Sequence, residues 1–440
     1  MSKRAVLTGS ISVLLMLAML GAQSITPVGA DPATIRVPEN YATIQDAVNA
    51  ANPGDTIRVA SGTYYENVAV NKRVNLLGQD RENTIIDGSA NYHVVRVTGD
   101  DVRISGFTIR NGMGGRGFYY GIVLYKCGRA VISGNILVNN FKGIGLDHSS
   151  GNVIWDNVIR DNQYGIWMSH SSGNTIRGNT VKGNWLYGIS LSDSSENVVA
   201  ENTVEPSTYY KPSVSIRVTS YSERNTIYRN NFIGKPNLVE ADSVNNAWDN
   251  GAEGNHWSDY QGVDDGSGGR VAGDGVGDTL LPHLNVDHRP LMEPWSSTRI
   301  FDVPPWGKVT IVSNSTIASF NFNLGQISFR VTAPPGTTGF CNVTIPIELR
   351  SGILMIQVDG VPVDYTWTQN ATHFSLCFNC NLSNLSTRKV EIFDILNVLL
   401  GSWLKRVGDS GYDRRADLKP DGAVDGFDLA TLGRYWWKTY

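Results

Sequence analysis

A 22-residue pattern repeats along the chain and constrains its fold more than any other feature. The segment GIGLDHSSGNVIWDNVIRDNQY (143–164) is followed directly by an imperfect copy, GIWMSHSSGNTIRGNTVKGNWLY (165–187). Further copies start at Gly121, Gly188 and, in degenerate form, Ser215. Each copy holds short β-branched runs between Gly, Ser, Asn and Asp, which is typical of short strands joined by turns. A period of this length indicates stacked units, so we interpret each copy as one three-stranded coil of a parallel β-helix.

Equivalent positions of successive coils should stack at the strand spacing of about 4.8 Å. The repeat then predicts three core columns: Ile144, Ile166, Ile189 and Ile216; Ile154, Ile176, Val199 and Ile227; and Ile159, Val181, Val204 and Phe232. A fourth column contains Asn135, Asn157, Asn179, Asn202 and Asn230. Because a buried unpaired amide costs roughly 1–3 kcal/mol, we expect a hydrogen-bonded ladder at a turn. A short amphipathic helix within 41–55 is predicted to cover the open end of the first coil.

The segment ATIQDAVNAANPGDTIRVASGTYYENVAVNKRVNLLGQDRENTIIDG (42–88) and the GIxL…SSGNxIxxNxI coils resemble the NosD-type β-helix family. That family is part of a wider pectin-lyase-like group of carbohydrate-binding and sugar-hydrolase β-helices. The resemblance covers roughly residues 35–295, including a Gly-rich closing segment (246–292). It implies a right-handed parallel β-helix over 31–297. The functions it implies range from copper delivery to polysaccharide-related roles at the cell surface.

The N-terminus predicts export. Lys3 and Arg4 precede an apolar run (11–20), and small residues follow before Asp31, the layout of a secretory signal peptide over 1–30. The alternative is an uncleaved membrane anchor, but the run is shorter than the roughly 20 residues that a span needs. We therefore predict a secreted or cell-surface protein with no membrane span in the mature chain. A net charge of −4 gives no reason to expect nucleic acid as a partner.

Alternating apolar and polar runs after Pro304 and Pro305 predict a small Ig-like β-sandwich over 304–388. Five N-x-S/T sequences fall in this region and predict an exposed glycoprotein module: Asn314, Asn342, Asn370, Asn381 and Asn384. Cys341, Cys377 and Cys380 also lie here, where a disulfide is compatible with export. A redox or metal role for Cys377 and Cys380 is the alternative.

Residues 389–440 resemble a dockerin, because one pattern occurs twice in them. In each copy an acidic residue is followed three positions later by Asp, and an apolar run comes next. The second copy, DLKPDGAVDGFD (417–428), fits a twelve-residue calcium loop with Asp417, Asp421, the Ala423 carbonyl, Asp425 and Asp428 as ligands. Lys419 stands where Asn or Asp is usual, and the first copy keeps only Glu391 and Asp394. Calcium binding and a cohesin-like partner are therefore one interpretation, and a metal-free helical pair is the other.

A second acidic cluster lies in the Gly-rich closing segment and contains Asp264, Asp265, Asp274 and Asp278. These carboxylates would suit a calcium ion. A solvated closing loop is the alternative interpretation.

The outward columns of the coils carry aromatic and charged residues and predict the binding site: Tyr120, Lys126, His148, Tyr164, Trp167, His170, Tyr187, Asp193 and Arg217. Rings of this kind stack on sugar faces, and polar groups bond hydroxyls or carboxylates. The sequence therefore predicts a β-helix that binds polysaccharide or another extended glycan.

Two other functions stay open at this point. A polysaccharide lyase or glycoside hydrolase would need paired groups, and Asp156 and Glu201 share a column two coils apart, about 9.6 Å. Arg217 beside Asp193 is a second pair for catalysis. A copper-handling accessory of the NosD kind would use His148 and His170 with Asp193, since copper accepts imidazole and carboxylate ligands.

Overall fold

The structure is a computed structural model that describes residues 32–113, 119–207, 213–219, 221–234, 239–241, 245–323, 326–333, 338–349, 354–382 and 386–394. The predicted signal peptide and the predicted calcium loop, with Asp417, Asp421, Ala423, Asp425 and Asp428, lie outside these residues. Asn384 also lies outside them.

The N-terminal part of the chain is a parallel β-helix, as predicted. Within the described residues each coil contributes one strand to each of three parallel sheets, which we call A, B and C. Sheet A consists of β1 Thr34–Val37, β2 Thr56–Val59, β5 Asn75–Gly78, β8 Arg103–Ser105, β11 Val131–Ser133, β14 Val153–Trp155, β17 Thr175–Arg177, β20 Val198–Ala200 and β23 Thr226–Tyr228. Sheet B consists of β3 Gly62–Tyr65, β6 Thr84–Asp87, β9 Thr108–Arg110, β12 Ile136–Val138, β15 Val158–Arg160, β18 Thr180–Asn184, β21 Thr203–Pro206, β24 Asn231–Phe232 and β26 His256–Trp257. Sheet C consists of β4 Val68–Val70, β7 Val95–Val97, β10 Tyr120–Tyr125, β13 Lys142–Asp147, β16 Tyr164–Ser169, β19 Tyr187–Ser192, β22 Val214–Thr219 and β25 Val239–Ala241.

The predicted apolar columns are confirmed as the core of the β-helix. Ile144 pairs with Ile166, and Ile154 pairs with Ile176, in successive coils. All members of the three columns are fully buried in one apolar cluster. One coil cannot bury such an apolar side by itself, which explains the repetition.

A helix covers the N-terminal end of this core. Helix α1, Ile44–Ala50, begins after Thr43, whose hydroxyl accepts a hydrogen bond from the Asp46 amide. Ile44, Ala47 and Val48 are buried in the same apolar cluster as the coils. The prediction of a capping helix is confirmed.

Three Asn ladders run along the coils, where the sequence predicted one. The predicted ladder lies at the corner between sheets A and B, and each Asn Oδ1 accepts bonds from the amide and side chain of the preceding coil's Asn. The second ladder lies between sheets C and A and contains Asn152, Asn174, Asn197, Asn225 and Asn246. The third lies between sheets B and C and contains Asn140, Asn162 and Asn184. A Ser ladder through Ser149, Ser171, Ser194 and Ser222 accompanies the second.

A carboxylate ends the ladder between sheets A and B. Asn255 follows Asn230 in this ladder, and its amide and side chain donate to Asp287 Oδ2. The Trp257 indole donates to the same oxygen at 2.8 Å, and the Arg289 amide donates to Oδ1. Asp287 is fully buried, and burial raises its pKa to about 6.

An antiparallel β-sandwich follows the β-helix. Within the described residues sheet D has the order β27 Thr298–Val303, β28 Gly307–Ser313, β31 Thr338–Pro346, β35 His373–Asn381 and β34 Tyr365–Gln369. Sheet E has the order β29 Thr316–Asn323, β30 Gln326–Thr332, β36 Thr387–Asp394, β32 Leu354–Val358 and β33 Val361–Pro362. Two 3₁₀ turns complete the described elements, Ser267–Gly269 and Ile347–Leu349.

Both predicted edges of the sandwich differ from the structure. Pro304 and Pro305 lie in the turn between β27 and β28, so the first strand precedes them. Glu391 lies within β36, where it pairs with Ser328 and Gln357, and Asp394 ends the same strand. The first copy of the dockerin-like pattern therefore begins in a central strand, because its alternating KVEIFD run fits a half-buried β-strand better than a loop.

The cysteines and the N-x-S/T sequences occupy distinct places in the sandwich. Cys341 and Cys380 are buried with their Sγ atoms 3.8 Å apart, whereas Cys377 is exposed. Asn370 is exposed in a turn and Asn342 lies in β31. Asn314 accepts a hydrogen bond from the Phe340 amide at 3.0 Å.

A buried ion pair joins the sandwich to the β-helix. Arg229 lies at the corner between sheets A and B and bonds Glu253, which is fully buried. The same guanidinium donates to the Asn314 carbonyl of the sandwich at 3.0 Å. The contact fixes the sandwich at the C-terminal end of the coils.

Candidate functional site

The outer face of sheet C brings together the residues predicted to bind a ligand. Tyr120, Lys142, Tyr164 and Tyr187 stack in one column, and Val123, Gly145, Trp167, Ser190 and Arg217 stack in the next. Lys126, His148, His170 and Asp193 follow at the corner between sheets C and A, all with positive φ between 48° and 52°. We call this surface the sheet C face.

A buried lysine organises the centre of the sheet C face. Lys142 is only 6% exposed, and its Nζ lies 3.3 Å from the centre of the Trp167 ring. The ammonium also donates to the Tyr120 hydroxyl at 3.1 Å and lies 5.4 Å from the Tyr164 ring centre. Gly145 leaves the space that the Tyr120 ring fills, since a Cβ there would lie 2.1 Å from that ring. Burial lowers the pKa of Lys142 to about 8 and raises the pKa of Tyr120.

Tyr120 therefore supports the site and does not present its ring to solvent. It is 6% exposed, whereas Tyr164, Trp167 and Tyr187 are half-buried. The Tyr164 and Tyr187 rings lie 5.5 Å apart. Tyr164 and Trp167 lie in one coil and Tyr187 lies in the next, and we call these three half-buried rings the aromatic platform.

An arginine lies at the C-terminal end of this platform. The Arg217 guanidinium lies 5.1 Å from the Tyr187 ring centre and bonds Glu240 Oε2 at 2.9 Å. The Tyr187 hydroxyl donates to the same carboxylate at 3.4 Å. Beside them, the Ser190 hydroxyl is buried and has no hydrogen-bond partner among the described residues. Arg217 is thus oriented along the sheet C face, with about a third of its side chain exposed.

At the N-terminal end of the face, Tyr125 lies between two cations. Arg96 lies 4.9 Å and Lys126 lies 5.3 Å from its ring centre. Contacts of this kind contribute about 0.5–1 kcal/mol at exposed sites. Both ends of the sheet C face therefore present a cation held on an aromatic ring.

Two histidines form the edge of the sheet C face. The His148 and His170 rings stack with centres 4.7 Å apart and planes 3° from parallel, as their column predicted. Asp147 contacts Nδ1 of His148 at 2.6 Å, and Ser169 contacts Nδ1 of His170 at 2.9 Å. Fixing Nδ1 in this way orients Nε2 as in many metal sites. Asp193 is the next residue of the column and accepts a bond from the Ser192 hydroxyl.

The predicted catalytic candidates lie in two separate places, and three of them contact oppositely charged or neighbouring side chains. Asp156 and Glu201 lie at the corner between sheets A and B, away from sheet C. Glu201 is also bound by Arg177 at 3.2 Å and approached by Arg229 at 3.9 Å. Arg217, a member of the second predicted pair, lies on the sheet C face and is bound by Glu240 at 2.9 Å.

The acidic closing segment forms a hydrogen-bonded loop. Asp264 accepts bonds from the Gly273 and Gly275 amides, and Asp278 accepts one from the Gly266 amide. Asp274 accepts a bond from the Val276 amide, while burial raises its pKa to about 6. Across the described residues, no three His, Cys, Asp or Glu side chains are placed to hold one metal ion. Nor does any helix in these residues have the length and apolarity to cross a membrane.

Sequence reasoning missed three features of this region. It did not predict the burial of Lys142, which depends on the aromatic rings around this side chain. It did not find Glu240 or the Asn ladder that includes Asn162. The sequence does contain a pattern that indicates this ladder, since Asn140, Asn162 and Asn184 recur every 22 residues.

The chain is similar, at low sequence identity, to several solved structures. One is an alginate lyase from Paenibacillus sp. str. FPU-7, 15% identical over 48% of this chain and 98% of that chain, with a TM-score of 0.33. Another is DFA-IIIase from Arthrobacter chlorophenolicus A6, 14% identical over 51% and 75%, with a TM-score of 0.38. A third is tailspike protein gp49 from Acinetobacter baumannii bacteriophage Fri1, a capsular polysaccharide depolymerase, 10% identical over 82% and 84%, with a TM-score of 0.32.

No curated protein matches the chain. The β-helix itself does match a family model. Residues 48–262, just under half of the chain, match the family described as periplasmic copper-binding protein (NosD).

Proposed function

We propose that the sheet C face binds an extended glycan. The observation that carries the proposal is the aromatic platform of Tyr164, Trp167 and Tyr187, whose rings lie half-buried in two neighbouring coils. Aromatic rings offer apolar faces at low cost in conformational entropy, and sugar rings have matching apolar faces. Lys142 holds Trp167 from within the protein, so the platform is preorganised.

The polar groups around the platform suit a chain with hydroxyl and acidic groups. Arg217 lies about four coil spacings, or about 19 Å, from Tyr125 and Lys126, and about five spacings, or about 24 Å, from Arg96. A linear ligand along the helix axis would contact both ends. We further propose that the protein acts outside the cytoplasm, with the sandwich as a glycosylated spacer and the C-terminal segment as a docking module.

Trp167→Ala should weaken glycan binding strongly. The substitution removes one of the three rings of the platform and the surface against which Lys142 lies. We expect a loss of about tenfold in affinity, equivalent to about 1.4 kcal/mol. The measurement is retention of the full chain on a panel of acidic and neutral polysaccharides, with reducing-end assays for cleavage.

Trp155→Ala is the matched control, because Trp155 is 45% exposed on sheet A and does not lie on the sheet C face. Equal losses in both variants would contradict a specific platform. New chain ends that disappear with Arg217→Ala or Asp193→Ala would replace the binding proposal with the lyase or hydrolase alternative. Cleavage that is lost only in the Glu201→Ala variant would place an active site at the corner between sheets A and B.

Copper handling is a second candidate function, favoured by the His148–His170 pair. Their Nδ1 atoms are already held, which leaves both Nε2 atoms directed away from Asp147 and Ser169. The match of residues 48–262 to a family described as copper-binding supports the same function. The described residues supply two imidazoles here, so water or another chain would complete the coordination.

Replacing both histidines should abolish stoichiometric copper binding if this second function holds. Titration of the full chain with copper(II) sulfate should show one site, lost in His148→Ala/His170→Ala. His288→Ala is the control, because His288 is exposed in the closing segment. Copper binding that survives in the double variant would exclude this pair as the site.

A further inference from the structure

A groove lies on the outer side of sheet A, at the ends of its first three strands. It encloses about 630 Å³, within the range typical of ligand sites. Its lining side chains include Arg36, Pro38, Glu39, Arg58, Leu77 and Gln79. It lies on a different sheet from the aromatic platform and near the opposite end of the β-helix from Arg217.

Two arginines meet in this groove at paired positions. Arg36 of β1 pairs in register with Arg58 of β2, so their Cα atoms are separated by one strand spacing, about 4.8 Å. Like charges at directly paired positions destabilise a sheet. Both side chains are exposed, and among the described residues Arg58 forms no ion pair. A bound anion between the two guanidinium groups would convert this repulsion into attraction.

The acidic residue in the groove does not neutralise the pair. Glu39 approaches Arg36 at 3.6 Å, but the two side chains are 55% and 69% exposed. Exposed pairs of this kind are screened by solvent and contribute about 0–1 kcal/mol. The groove therefore keeps a net positive charge, and Arg36 is available to an incoming anion.

The rest of the groove favours an anion carried on a larger molecule. Leu77 and Pro38 provide apolar surface beside the arginines. Gln79 is held by a bond from the Ser61 amide to its Oε1, which leaves its NH2 group as a donor. Guanidinium groups bind planar oxyanions in bidentate fashion.

We propose that this groove is a second binding site, specific for an oxyanion such as the carboxylate or sulfate of an acidic saccharide. Arg36 and Arg58 bind the oxyanion from neighbouring strands, and the sugar ring lies against Leu77 and Pro38. The site is independent of the sheet C face, so a failure of one proposal leaves the other standing.

Calorimetric titration of the full chain tests the site. The probes are tetragalacturonate, a heparin-derived tetrasaccharide and neutral maltotetraose, in a Trp167→Ala background that weakens the first site. We expect one of the two anionic probes to bind and maltotetraose not to bind. Arg58→Gln should weaken that binding about tenfold, as expected for loss of a charge-assisted contact. The anionic probe that binds identifies carboxylate or sulfate as the preferred group.

Arg103→Gln is the matched control, because Arg103 is an exposed arginine of β8 that does not line the groove. The affinity of the Arg103→Gln variant for the anionic probe should equal that of the parent protein. Equal weakening by Arg58→Gln and Arg103→Gln would show diffuse attraction to a basic surface and overturn the proposal. Binding of neither anionic probe would overturn it as well.

Discussion

Asn179→Ala should destabilise the β-helix more than any exposed substitution in the same coil. Asn179 Oδ1 accepts bonds from both the amide and the side chain of Asn157, each at 3.0 Å. Truncation leaves the buried Asn157 amide unpaired, whereas Asn157 Nδ2 keeps its bonds to the Ile132 and Trp155 carbonyls. We therefore expect the free energy of unfolding to fall by roughly 1–3 kcal/mol. The measurement is urea unfolding of the full chain followed by circular dichroism.

Lys182→Ala is the control for this experiment, because Lys182 is exposed on sheet B, one position after the fully buried core residue Val181. Its unfolding midpoint should match that of the parent protein, since surface substitutions usually change stability by less than about 0.5 kcal/mol. If the two variants unfold at the same urea concentration, the ladder does not hold the coils together.

Asp287→Asn should remove a pH dependence of stability. Burial raises the pKa of Asp287 to about 6 in the folded protein, compared with about 3.9 in an unfolded chain. The folded state therefore binds the proton more tightly, and between about pH 4 and 6 folding takes up a proton. The free energy of unfolding therefore falls by roughly 3 kcal/mol as the pH rises through this window. Above about pH 6, Asp287 causes no further change in stability.

The substitution keeps a carbonyl oxygen for the ladder but cannot ionise. We expect the urea midpoint of the parent protein to fall between pH 4 and pH 6.5 by more than that of the variant. Asp302→Asn is the control, since the Asp302 side chain is 76% exposed. A variant that keeps the full pH dependence of the parent would show that Asp287 is already ionised at pH 4.

The periodicity of the sequence predicted the β-helix well because each core column is a chemical repeat. Ile144 and Ile166, for example, are apolar, equally spaced and directly paired. The Asn ladder at the corner between sheets A and B was predicted for the same reason. A stacked amide bonds its own copy in the next coil, so the pattern of the sequence and the pattern of hydrogen bonds have the same period.

The candidate site was predictable only in part. The columns placed Trp167, His148 and Arg217 on one face, and the structure agrees. The burial of Lys142 and the pairing of Arg217 with Glu240 depend on side-chain packing between unequal residues, which periodicity does not describe. The groove at Arg36 and Arg58 lies in the coils where the repeat is weakest, so no alignment of copies indicated it.

The edges of the sandwich were predicted wrongly because the prediction used local sequence signals alone. It did not include the strands that pair with these segments. Pro304 and Pro305 are typical of linkers, but they also suit a tight turn between paired strands. Glu391 belongs to a motif that is typical of a loop. It nevertheless lies in β36, which pairs with β30 on one side and with β32 on the other. Tertiary pairing decided both positions.

The short ladder between sheets B and C has a consequence for how such a protein can diversify. It ends at Asn184, while the ladders at the other two corners continue to Asn246 and Asn255. Coil length also varies at this corner, since Tyr187 pairs with Val214 across 27 residues whereas Lys142 pairs with Tyr164 across 22. The corner adjoins the aromatic column of sheet C. Insertions can therefore accumulate beside the sheet C face without breaking the register that the other two corners maintain, so this surface can change its shape on an unchanged scaffold.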